Sequence, residues 1–201
     1  MPSVFGVSVL VERATIVGLG LLGGSLAASL RRTGIAGEIL GVDTPEVLEK
    51  ALGMGMIDGA FQSPQEGIQG ADLVILAAPI SAILSIIPVI ALYLKPGALV
   101  TDVGSTKVDI VKTAQAYLPK TVSFIGGHPM TGSERGGIAS ADSFLFENAV
   151  YVLTPVPEGS SAPLATLCEI IKKIGGRVLV LDPVSHDQIV AAVSHLPYLL
   201  A

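Results

Sequence analysis

Histidine is the side chain whose ordinary pKa lets it take or give a proton near neutrality. Of the three in this chain, His128 has the least ordinary setting, Gly126-Gly-His128-Pro-Met-Thr-Gly-Ser-Glu134. An imidazole between a glycine pair and a proline is hard to explain as packing, and it lies where it could exchange a proton as a general base. A second short motif, Asp102-Val-Gly-Ser105-Thr-Lys107, carries a hydroxyl. Ser105 also reads as the N-cap of the helix after it, a sufficient structural role worth about 1 kcal/mol, so a chemical role needs support from elsewhere. The third motif is Gly18-Leu-Gly20-Leu21-Leu22-Gly23. Its glycines in turn allow a tight turn, the approach of a pyrophosphate to the backbone, and close helix–strand packing, while the helix start offers free N–H groups to the phosphates.

Asp43 lies 20 residues after Gly23, at the end of the run Glu38-Ile-Leu-Gly-Val-Asp43. From there a carboxylate can accept hydrogen bonds from an adenosine ribose. A 2′-phosphate at that place would meet like charge, and no arginine adjoins Asp43, so NAD is expected over NADP. Ala78 and Pro79, at the end of another apolar run, are placed to line the dinucleotide, although a strand terminator explains them equally well.

The elements that must position these residues alternate. Val- and Ile-rich runs at Ala14–Gly18, Glu38–Asp43, Asp72–Ala77, Ala98–Asp102, Val122–Gly126, Ala149–Thr154 and Arg177–Leu181 are expected strands. Helices are expected between them: Leu21–Gly34, Pro45–Met54 capped by Thr44, and Ser105–Leu118. The loop at Pro155–Pro163 reads as a surface connection. This is an α/β pattern, a Rossmann-type doubly wound, mostly parallel sheet, with the reactive loops after the strands at one edge. Asp182-Pro183 then caps a further helix through His186, Val190, Val193 and Leu196. Residues 1–181 are expected to form the dinucleotide-binding domain, and 182–201 the first helix of a C-terminal helical domain that continues past Ala201.

Composition excludes other classes. Half of the 201 residues are apolar and 14% are charged, which rules out a disordered chain or a coiled coil. A net charge of −5 without basic runs argues against nucleic acid as a partner. Leu73 to Leu94 carries no charge and is long enough to span a bilayer, but Pro79 and Pro88 interrupt it, and a strand followed by a helix broken at Pro88 is the better reading. No secretion signal opens the chain. One cysteine, Cys168, and scattered histidines imply a reducing, cytoplasmic setting with no metal site.

Taken together, Gly18-Leu-Gly-Leu-Leu-Gly-Gly-Ser25, the Asp102–Lys107 motif, the Gly126–Glu134 motif and His186-Asp-Gln-Ile-Val-Ala-Ala-Val-Ser-His-Leu-Pro197 resemble the prephenate dehydrogenase family, which includes arogenate and cyclohexadienyl dehydrogenases. The resemblance runs from Ala14 to Ala201. It implies NAD-dependent oxidative decarboxylation of prephenate or arogenate in tyrosine biosynthesis, with His128 the base on the ring hydroxyl and Ser105 orienting it beside the nicotinamide. It implies substrate-side roles for Glu134, His186 and Ser194, the last two about 80° apart on an ideal helix, with His195 turned toward the next domain. Where the family often has a second histidine after the proline, this chain has Tyr198, which leaves prephenate and arogenate undecided. The family's helical domain dimerises and brings an arginine to a substrate carboxylate. Arg135 is no argued substitute, so the 201 residues are expected to bind NAD but turn over poorly. Two other readings stand beside this one: a related β-hydroxyacid dehydrogenase or imine reductase, and a dinucleotide-binding module without chemistry.

Overall fold

The computed structural model describes residues 9–132, 136–156 and 161–195, with only the backbone for 194 and 195. The strands are β1 (Val11–Val17), β2 (Ala36–Val42), β3 (Gly59–Phe61), β4 (Leu73–Leu76), β5 (Leu99–Asp102), β6 (Ser123–Pro129), β7 (Val150–Pro155) and β8 (Arg177–Val180). The helices are α1 (Leu21–Thr33), α2 (Pro45–Gly53), α3 (Pro64–Gly67), α4 (Ile80–Ile90), α5 (Val108–Tyr117), α6 (Ser161–Lys173) and α7 (Pro183–Val190). One eight-stranded sheet runs in the order β3-β2-β1-β4-β5-β6-β7-β8. Its neighbours are parallel except β6 and β7.

The fully buried strands β4 and β5 read Leu-Val-Ile-Leu and Leu-Val-Thr-Asp because both faces of the sheet are covered. Ile16 and Ile75 face one core with Leu26 and Leu30 of α1 and Ile170 of α6. Val17 and Val74 face the other, with Ile83 and Ile87 of α4 and Ile110 of α5. Each such aliphatic side chain contributes roughly 1.5–3 kcal/mol by leaving water.

Several expectations shift. The uncharged run from Leu73 resolves into β4 and α4, and no helix among the described residues is long and apolar enough to cross a membrane. Pro88 does not break α4, which continues to Ile90. Between β6 and β7 the described residues form no crossover helix but a long excursion with one 3-10 turn, Ile138–Ser140, and the two strands pair antiparallel. The excursion is tied to α1: Asp142 N–H donates to Ser25 Oγ at 2.9 Å, and Ser29 Oγ donates to Ser143 O at 2.9 Å. Pro155 and Pro163 belong to β7 and α6, and part of the loop between them lies outside the described residues.

Candidate functional site

The strand order reverses between β1 and β4, where open α/β sheets hold their ligands. Gly18 leaves β1 with φ +93°, and a Cβ there would lie 2.4 Å from Ala77 O. Gly23 is packed tighter still, since its Cβ would lie 1.9 Å from Gly18 O. Only glycine serves at either place. Around Gly20, by contrast, a Cβ would meet nothing within 4 Å. The backbone faces open space there at the start of the 13-residue α1, whose N-cap, Gly20, makes no side-chain capping bond. Gly20, Leu21, Leu22, Ala78, Pro79 and Ser105 line one cleft of about 470 Å³. Six of the expected dinucleotide residues thus share one space, whose wall does not include Gly18, Gly23 or Asp43, and its bare helix N-terminus fits a pyrophosphate.

Asp43 directly follows β2. Its Oδ2 accepts from Leu19 N–H at 2.6 Å and its Oδ1 from Thr44 N–H at 2.7 Å, so it fastens the glycine loop to the end of β2. Each oxygen keeps further acceptor capacity for a ribose hydroxyl. The anchoring of the loop is a duty that sequence spacing does not disclose.

On either side of the Ser105 loop lies an ion pair that the sequence reading overlooked, Asp102 with Lys107. Lys107 Nζ donates to Asp102 Oδ2 and, at 2.7 Å, to Gly127 O, and both side chains are 0% exposed. Asp102 also accepts from Gly104 N–H at 2.8 Å and Gly127 N–H at 3.1 Å. Burial pushes the Asp102 carboxyl up and the Lys107 ammonium down, against their mutual attraction. Burial and the neighbouring Asp102 charge also push the Tyr151 hydroxyl up. The pair clamps the Ser105 loop to β6. A Cβ on Gly127 would lie 2.5 Å from Asp102 O, which is why glycine precedes His128.

His128 itself is not on a loop. It belongs to β6, opposite Val152 of β7, so the sheet fixes its backbone. Its Nδ1 lies 2.9 Å from His186 Nε2, with the rings nearly perpendicular at 71°. His186 Nδ1 lies 2.7 Å from Asp187 Oδ1. Asp187 in turn accepts from Lys107 N–H at 2.7 Å and Val108 N–H at 2.9 Å. Burial opposes the charge on Asp187, but donation from Val108, His186 and Lys107 outweighs it and holds the carboxyl below its usual range.

These contacts correct two expectations. Ser105 does not cap α5, which starts three residues later; Asp187, reaching from α7, accepts the N–H groups there. Ser105 is instead exposed in the cleft wall. His186 does not line a pocket. It is fully buried with both ring nitrogens engaged, and stands behind His128. Asp182 does cap α7, accepting from Val184 and Ser185 N–H. After Val190 the helix widens into a π-turn, Ala191–His195, so the ideal-helix angle between His186 and Ser194 does not hold. Glu134, Arg135 and Tyr198, and the side chains of Ser194 and His195, lie outside the described residues.

A doubly wound sheet of this order, with a glycine-walled cleft at its switch point, defines a Rossmann-type nucleotide-binding domain. Residues 26–180 match the family described as "Prephenate dehydrogenase, nucleotide-binding domain", and the chain belongs to that family. It is 42% identical over 193 residues to the prephenate dehydrogenase of Lactococcus lactis subsp. cremoris, covering 95% of this chain and 52% of that protein. The crystal structure of Aquifex aeolicus prephenate dehydrogenase in complex with hydroxyphenyl propionate and NAD+ superposes with a TM-score of 0.87 at 34% identity, over 94% of this chain and 66% of that one. Synechocystis arogenate dehydrogenase superposes with a TM-score of 0.86 at 38% identity, over 92% and 65%. The chain spans about half the length of the curated relatives it matches.

Proposed function

We propose that this domain serves an NAD-dependent dehydrogenase of tyrosine biosynthesis that oxidatively decarboxylates prephenate or arogenate, with His128 as its base. The observation that carries the reading is a glycine-walled cleft that includes the loop after β5 and an imidazole held by the adjacent strand β6. Bound NAD supplies the hydride acceptor. Gly18, Gly20 and Gly23 let the backbone approach the pyrophosphate, N–H groups of Leu21 and Leu22 face it, and Asp43 takes the ribose hydroxyls. Ala78, Pro79 and Ser105 line the nicotinamide side.

His128 accepts the proton of the ring hydroxyl as the carbinol hydrogen departs. Loss of the ring carboxylate as carbon dioxide leaves its electron pair in the ring, and the resulting phenolate recovers the proton from His128. Aromatisation favours that second stage, so the protein need only position, hold a base and exclude water. Glu134 and Ser194 are assigned to the substrate side. The relatives' greater length leaves room for a helical domain after Asp182, through which we propose a cytoplasmic homodimer forms.

The test is a paired assay of the full-length protein with prephenate and arogenate, following NADH and carbon dioxide together. Equal amounts of both from at least one substrate are expected; neither product from either substrate would refute the reading. An NADP affinity equal to or above that for NAD would refute the role of Asp43.

A further inference from the structure

We infer that His186 and Asp187 are positioning residues that fix the tautomer of His128, placing its proton on Nδ1 and its lone pair on Nε2. The argument is a count of protons along one chain of contacts. Asp187 is ionised and can only accept, so at 2.7 Å it takes a hydrogen from His186 Nδ1. A neutral imidazole carries one N–H, and in the fully buried His186 that N–H is the one given to Asp187. Its Nε2 is therefore a lone pair. The 2.9 Å contact to His128 Nδ1 is then a hydrogen bond only if His128 donates. That leaves His128 Nε2 as the acceptor nitrogen of the ring.

The same carboxylate holds the start of α5 through Lys107 and Val108 N–H. One residue pair on α7 thus sets both the base and the helix that follows the Ser105 loop. The opposite tautomer would present an N–H from Nε2, which cannot receive a hydroxyl proton. The catalytic meaning of this selection rests on the reading of His128 as base; the tautomer itself does not.

The experiment is a long-range ¹H–¹⁵N correlation spectrum of the ¹⁵N-histidine-labelled full-length protein, without cofactor or substrate, with His128 assigned by the loss of its signals in His128→Asn. The expected result is a neutral His128 in the Nδ1–H form. His186→Gln, whose carbonyl accepts from His128 while its amide donates to Asp187, keeps that form. His186→Phe lets His128 drift toward the Nε2–H form of free imidazole, and kcat falls at least about tenfold, a part of the roughly 10²–10⁴ that a general base supplies, with KM changed less than about twofold and turnover recovered in the Gln variant. A wild-type His128 protonated on Nε2, or a tautomer unmoved in a folded His186→Phe protein, would overturn the inference. The wild-type spectrum decides even if the Phe variant does not fold. Because it contains no substrate, its outcome is independent of whether the protein oxidises prephenate or arogenate.

Discussion

Lys107→Met probes the buried clamp beneath the site. Methionine keeps the apolar stem and nearly the same volume, but Asp102 then retains only its two backbone donors, at 2.8 and 3.1 Å, and Gly127 O loses the ammonium 2.7 Å away. Removing one member of a fully buried pair costs about 3–5 kcal/mol, a large share of the roughly 5–15 kcal/mol that holds a domain together. For a chain of this size that is a fall in midpoint of about 6–20 °C. The pH dependence gives the sharper test. Burial already pushes the Asp102 carboxyl up, and without Lys107 it titrates in the folded variant well above the unfolded value of about 3.9. The folded variant then binds the Asp102 proton more tightly than the unfolded chain, so the contribution of this group is greatest in acid and is lost as pH rises through the folded pKa. Urea unfolding followed by circular dichroism should show the gap from wild type widest at about pH 8 and narrower at about pH 5. A gap below about 1 kcal/mol at the higher pH, or one that widens in acid, would refute the buried charge pair.

Glycines of the nucleotide loop should separate by their surroundings. Gly23→Ala, with a Cβ 1.9 Å from Gly18 O, should lower the thermal midpoint and abolish NAD binding, whereas Gly20→Ala, with nothing within 4 Å, should stay within about 0.5 kcal/mol of wild type yet weaken NAD in a calorimetric titration. Asp187→Ala should cost about 1–2 kcal/mol through the lost cap on α5. Because that carboxyl is held below its usual range, its contribution is present above the unfolded pKa and lost as pH falls through the folded one, so wild type and variant should converge in acid denaturation.

Much of this architecture was legible because the strands are Val- and Ile-rich runs between turn residues, and the glycine triplet with its distant acid has a mechanism attached. β3 escaped notice: Gly59–Phe61 is three residues long with no apolar run. His128 read as a loop residue because Gly-Gly-His-Pro is loop chemistry, and only pairing with β7 makes it strand. The misassigned cap at Ser105 has a related cause, since Asp187 reaches Lys107 and Val108 from 80 and 79 residues away. No local rule signals such a partner. Asp102 and Lys107 looked like polar loop residues; that both are buried follows from β6 closing over them. The burial of His186 likewise depends on His128, 58 residues distant.

His128→Asn in the full-length protein tests the central claim most directly, by steady-state turnover of prephenate and arogenate alongside an NAD titration. Asparagine should leave the NAD dissociation constant within about twofold while kcat/KM falls by about 10²–10⁴, the worth of a positioned general base. Turnover at the wild-type rate with NAD binding intact would contradict the account.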